Sequence, residues 1–206
     1  MIREPHREPD PSPLHLGVAD HLGWAVVVAA SGDAQVADRR RIEMVGAGLP
    51  AAPIHHVGGP HAMHRSGEAV SDDDLVALIA DVRASAAISI GNELDVLSSD
   101  LGRPIATLSI RSWPSDFPDD IATLRRVPYE ARADPVMYRT LLAEAGRDRG
   151  WTIRTFDATT VEADARQAVG AMDEDVLGRP RAILGPPWTK DHRVALAAAI
   201  TASLDV

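Results

Sequence analysis

Two dipeptides at opposite ends of the chain set an aspartate beside a histidine, Asp20-His21 and Asp191-His192. Each joins an acceptor-only carboxylate to the side chain that titrates nearest neutral pH, so each is a candidate for proton transfer. Four more histidines, His55, His56, His61 and His64, fall in one Gly/Pro-rich segment, and His61-x-x-His64 has a spacing that can chelate. Neutral imidazoles suit Zn, Mn or Ni better than Mg. The chain has no cysteine and no His-Glu-x-x-His motif, which removes Cys-based zinc sites and the zincin helix together. Simpler roles stand beside these. The loop histidines can be surface residues, Asp20 can accept backbone N–H groups of the turn at 21–23, and Asp191 can serve as first-turn helix charge. His21 would point to the opposite face of a continuing strand, so only a turn there lets it line a site with Asp20.

Two further clusters could hold a ligand. Tyr138 and Arg139 lie early on an expected helix and can bind phosphate or carboxylate; alternatively Tyr138 packs in the core and Arg139 pairs with Asp134 or Glu130. Gly185-Pro186-Pro187-Trp188-Thr189, followed by Lys190, presents an aromatic and a cation ahead of the last helix. Trp188 can stack a ring or plug the core. There is no Gly-x-Gly-x-x-Gly after a strand, no P-loop and no Gly-x-Ser-x-Gly elbow, which disfavours dinucleotide, NTPase and serine-hydrolase chemistry.

The net charge of −9 and the 4% aromatic content count against a constitutive nucleic-acid binder with a broad basic face. Contact with nucleic acid would rest on short clusters, namely Arg39-Arg40-Arg41, Arg125-Arg126 and Arg179 with Arg181, or on metal ions that offset repulsion. With 206 residues and 45% hydrophobic content, one core and one domain over residues 14–206 are expected. The first thirteen residues carry four prolines and mixed charge and read as a disordered tail without a secretory h-region. No apolar run reaches the roughly 18 residues of a membrane span. A soluble protein of the reducing cytoplasm is expected, with self-association left open.

Leu14 to Val45 must position the first aspartate. It reads as three antiparallel strands: Leu14 to Asp20, Trp24 to Ala30, and Gln35 to Val45. A long Gly/Pro loop follows. Ser71-Asp72-Asp73-Asp74 starts a helix that carries Leu75, Leu78, Ile79, Val82 and Ala86 at helical spacing, breaks near Gly91-Asn92 and resumes to Ser98. Ile105–Ile110 is a fourth strand, and Phe117 to Arg126 holds a short helix. Asp134-Pro135 starts another helix that ends at Gly150. Trp151–Phe156 is a fifth strand, followed by a helix over 160–169 and a last helix over 190–204 capped by Thr189. The order β-β-β-α-β-α-β-α implies a mixed five-stranded α/β sheet.

That order resembles the RNase H-like fold. Leu16-Gly17-Val18-Ala19-Asp20, a short turn, then Gly23-Trp24-Ala25-Val26-Val27 resembles the opening of Holliday-junction resolvases and related transposases. Asp191 ahead of Val194-Ala195-Leu196-Ala197-Ala198-Ala199 resembles the resolvases' closing helix. The segments around ADHLGWA, VMYR and GPPW also resemble a widespread bacterial family to which no activity attaches. The resemblance to RNase H-like nucleases implies acidic side chains converging on Mg or Mn for phosphodiester hydrolysis. Asp20 and Asp191 would be ligands, Asp74 (or its neighbours Asp72, Asp73 or Asp81) or Asp157 a third, and His21 or His192 a proton carrier. The resolvase-like acid ending strand four is missing, because Arg111 stands there. Two other functions remain open: a non-catalytic relative that binds a partner or nucleic acid, and a His-rich Zn or Mn hydrolase of a small molecule.

Overall fold

The computed structural model describes residues 12–60, 70–170 and 175–204. Residues 1–11 of the expected tail 1–13, together with His61 and His64, lie outside the described residues. Five strands, β1 (Leu14–Asp20), β2 (Trp24–Ser31), β3 (Val36–Glu43), β4 (Ile105–Arg111) and β5 (Thr152–Phe156), form one sheet in the order β3-β2-β1-β4-β5. β1, β2 and β3 are antiparallel neighbours, and β4 and β5 run parallel to β1. This is the mixed five-stranded α/β sheet that the element order implies.

Side-chain alternation splits the core in two. Leu16, Val18, Val27, Leu108 and Ile110 face helices α1 (Asp72–Leu101) and α3 (Glu130–Asp148). Ala19, Val26 and Val28 face α4 (Val161–Val169) and α6 (Lys190–Ser203). Two short helices, α2 (Ile121–Leu124) and α5 (Pro180–Leu184), join these layers. Among the described residues no helix is long and apolar enough to cross a membrane.

Three elements differ from the sequence expectation. α1 has no break at Gly91-Asn92: Val82, Ala86, Ile90, Leu94 and Leu97 continue its buried stripe. That burial outweighs the roughly 1 kcal/mol that a mid-helix glycine costs. The helix ends instead at Gly102, in the left-handed conformation at φ 58°. α3 begins at Glu130, so Asp134 and Pro135 lie inside it and Asp134 does not cap. The Gly/Pro loop holds a π-helical turn, Pro53–Gly58, which periodicity had no means to find.

α6 lies directly on β1 because Gly17 has no side chain. A Cβ there would collide with the Ala195 carbonyl oxygen and come within 2.7 Å of the Ala199 nitrogen. Gly17→Ala is therefore expected to lower unfolding free energy by about 3 kcal/mol or more, as overpacking against rigid backbone does. Urea denaturation of the two proteins measures it.

Candidate functional site at the carboxyl end of β1

Asp20 ends β1 on the α3 side of the sheet, because it shares the face of Leu16 and Val18. Arg139 of α3 meets it there, donating from Nε to Oδ2 at 2.8 Å, with side chains 11% and 2% exposed. The other carboxylate oxygen, Oδ1, is buried and accepts no hydrogen bond among the described residues. One side of this carboxylate is thus neutralised by a guanidinium, and the other is an acceptor without a donor.

The chain then turns. The His21 N–H donates to the Trp24 carbonyl at 2.9 Å, and Gly23 takes φ 77° with the Ala51 side chain in the place of a Cβ. The turn carries His21 away from Asp20. Its ring stacks on Trp24 at 4.0 Å and 9°, and its Nε2 lies 3.2 Å from Asp191 Oδ2. Asp191 belongs to the first turn of α6, which packs on the opposite face of the sheet from α3. Each expected ligand therefore has its own partner: Arg139 for Asp20 and His21 for Asp191.

His192 completes a capping box. Its Nδ1 accepts from the Thr189 N–H at 3.2 Å and lies 2.9 Å from the Thr189 hydroxyl. An accepting Nδ1 belongs to a neutral ring. Burial, together with the nearby Arg39 charge, lowers the His192 pKa against the pull of Asp191. The ring caps α6.

Between the α6 start and β3 lies a groove of about 310 Å³ lined by Trp24, Arg39, Arg41, Thr189, Asp191 and His192, among others. Arg39 and Arg41 lie opposite Val28 and Val26 in the ladder and so share the α6 face. The Arg41 guanidinium sits 4.0 Å over the Trp24 ring and pairs with Glu43 at 2.7 Å. Arg39 donates to the carbonyls of Leu184, Gly185, Pro186 and Pro187, tying the segment before α6 to the sheet.

Several expected site residues are placed elsewhere. Tyr138 is fully buried with its hydroxyl on the Ala51 carbonyl at 2.9 Å. Burial and the neighbouring Asp134 push its pKa up, and the ring packs in the core. Trp188 is 7% exposed and donates to the Leu177 carbonyl at 2.7 Å, which makes it the core plug. Lys190 is exposed on the first turn of α6. Asp74 accepts from the Ser71 hydroxyl at the start of α1, and Asp157 accepts the N–H and hydroxyl of Thr159. Those bonds lower the Asp157 pKa and tie it to its own turn. Neither aspartate reaches Asp20, and among the described residues no group of three His, Asp or Glu side chains is arranged to hold a metal ion. The residues present therefore do not fit a two-ion carboxylate centre. His55 and His56 lie with ring centres 5.1 Å apart, and His55 Nδ1 is 3.6 Å from Glu130 Oε1.

Asp134 is the residue that sequence reasoning misplaced as a cap. It is fully buried, and its two oxygens accept the Ile54 and His55 N–H groups at 3.1 and 2.9 Å. The carboxylate thereby holds the π-helical turn against α3. Burial, opposed by those hydrogen bonds, raises its pKa to about 6. The Asp-Pro pair was the only sequence signal at this position, and it equally suits a helix start.

With the fold and site described, the chain can be set against known proteins. No protein-family model matches it, and no curated protein matches it. Among solved structures it is similar to T. thermophilus RuvC in complex with a Holliday junction substrate, at 11% identity over 94% of each chain and a TM-score of 0.49. It is also similar to a second Thermus thermophilus RuvC structure, at 10% identity over 93% of this chain and 95% of that one, TM-score 0.46. At these values the likeness is one of outline, and no residue role passes from either structure to this chain.

Two outcomes are expected. Arg139→Met strands a buried carboxylate and should cost about 3–5 kcal/mol, while the Asp20→Leu/Arg139→Met pair should recover most of it; urea denaturation of the three proteins decides. The Asp134 pKa is raised on folding, so the stability it contributes is full below about pH 4 and lost as pH rises through about 6. Asp134→Asn should remove that component from a plot of urea midpoint against pH.

Proposed function

We propose that this RNase H-like chain binds nucleic acid along the groove between the arginine face of β3 and the start of α6, and does so without metal-ion hydrolysis. The observation that carries the reading is Arg139 on Asp20. A fixed guanidinium occupies the carboxylate that a metal-dependent nuclease of this fold would need free. Arg111 at the end of β4, beside β1, supports it, since a cation stands where the resolvase-like pattern has an acid. The groove supplies Arg41 over Trp24 and the Thr189 hydroxyl, and Lys190, next to Thr189 in sequence, is exposed at the helix start. Cations of this kind hold phosphates and make binding steeply dependent on salt.

A second reading, hydrolysis of phosphodiesters with Mg²⁺ or Mn²⁺, is favoured by one observation. Asp20 Oδ1 is a buried acceptor with no donor, as the ligand of an added cation would be.

Fluorescence anisotropy with labelled single-stranded DNA, duplex DNA, duplex RNA and a four-way junction, at about 50 and 200 mM salt, tests binding. At least one probe should bind with affinity that falls with salt, and Arg41→Gln should reduce the salt slope by about one. The labelled probes should stay intact with millimolar Mn²⁺, and titration calorimetry should show no Mn²⁺ heat. Absence of binding at low salt overturns the proposal. Cleavage that needs Mn²⁺ and disappears in Asp20→Asn replaces it with the hydrolytic reading.

A further inference from the structure

A cavity of about 430 Å³ lies on the α3 side of the sheet, beyond the carboxyl end of β4 and apart from the groove. Helices α1 and α3 form two walls, and the loop from Ser112 to Asp120 closes it. Proline at 114 and 118 keeps that loop from packing as helix. The lining is mostly apolar, with Ile79, Trp113, Phe117, Leu124 and Met137 prominent. Crevices outside the carboxyl ends of parallel strands are where open α/β sheets take ligands, and this volume lies in the range of small-molecule sites.

Two opposite charges on the lining are unused. Arg83 of α1 and Asp119 of the loop both line the cavity, and neither makes an ion pair or hydrogen bond, with the other or with any described residue. Most of the molecule's arginines near an acid are paired, as Arg125 is with Asp72, Arg149 with Asp95 and Arg40 with Asp38 and Asp100. Trp113, also on the lining, has an indole N–H with no acceptor among the described residues. An apolar chamber flanked by one unpaired cation and one unpaired anion is complementary to a zwitterion with a large apolar body.

We infer that this cavity binds a free amino acid with a large apolar or aromatic side chain. Its carboxylate faces Arg83 and the Trp113 N–H, its ammonium faces Asp119, and its side chain enters between α1 and α3. A lone apolar acid would leave Asp119 unmatched, and a lone amine would leave Arg83 unmatched. The inference is independent of the nucleic-acid reading.

Titration calorimetry and thermal shift with L-tryptophan, L-phenylalanine and L-leucine test it, with tryptamine and indole-3-propionate as the analogues lacking one charge. Arg83 and Asp119 are both exposed, so Arg83→Gln and Asp119→Asn are expected to fold, which circular dichroism checks. At least one amino acid should bind in the millimolar range or tighter and raise Tm, with both analogues about tenfold weaker than L-tryptophan. Arg83→Gln should abolish the preference over tryptamine, and Asp119→Asn the preference over indole-3-propionate. No heat and no shift with any of the three at about 10 mM overturns the inference. So does equal binding of the one-charge analogues, or unchanged binding in both variants.

Discussion

The buried ion pair between Asp20 and Arg139 sets the height at which α3 crosses the end of β1. Its energy is a poor guide to its importance, since the desolvation of two charges offsets most of their attraction. What it contributes is position. The same helix sends Asp134 to the backbone N–H groups of Ile54 and His55, and Tyr138, one turn on, to the Ala51 carbonyl. Three polar anchors within six residues of α3 therefore hold the β3–α1 connection and the end of β1 together. Each is buried, so a shift of α3 by one residue would strand all three without partners, at a cost of a few kcal/mol apiece.

The opposite face is set by close approach. Gly17 admits the α6 backbone onto β1, Arg39 holds the four carbonyls before α6, and the Trp188 indole closes on Leu177. With the helix placed this way, its first turn reaches over the carboxyl end of β1 to His21 and leaves Asp20 to α3. The separation of the two aspartates follows from packing on both faces.

Most of the fold was legible in the sequence because its signals are periodic. Alternating apolar residues marked β1 and β2, and Ser71 with the acids after it marked the start of α1. The site was legible only as an address. Asp20 and Asp191 were expected to share one site, and the structure gives each its own partner, Arg139 and His21; an ion pair across 119 residues leaves no local trace. Arg139 was open between an external anion and the nearby acids Asp134 and Glu130, and its partner is instead Asp20. Tyr138 and Trp188 were open between core and ligand, and burial places both in the core. The π-helical turn and the Asp134 anchor were hidden for a related reason: a buried carboxylate that accepts distant backbone N–H groups has the same sequence as one that caps its own helix.

Arginine at this end of the sheet bears on chemistry as well as on position. A divalent ion can bind a phosphate oxygen, lower the pKa of a coordinated water and stabilise a leaving oxygen at once. A guanidinium performs the first of these through its N–H donors and neither of the others to a comparable degree, because it has no coordination site to offer water and does not deprotonate in proteins. Arg139 of α3 holds Asp20 at the end of β1, and Arg111 ends the adjacent β4. With Arg139 on Asp20, that carboxylate is satisfied on one side by a cation that activates no water. On the proposed reading, recognition and hydrolysis separate at the level of single side chains.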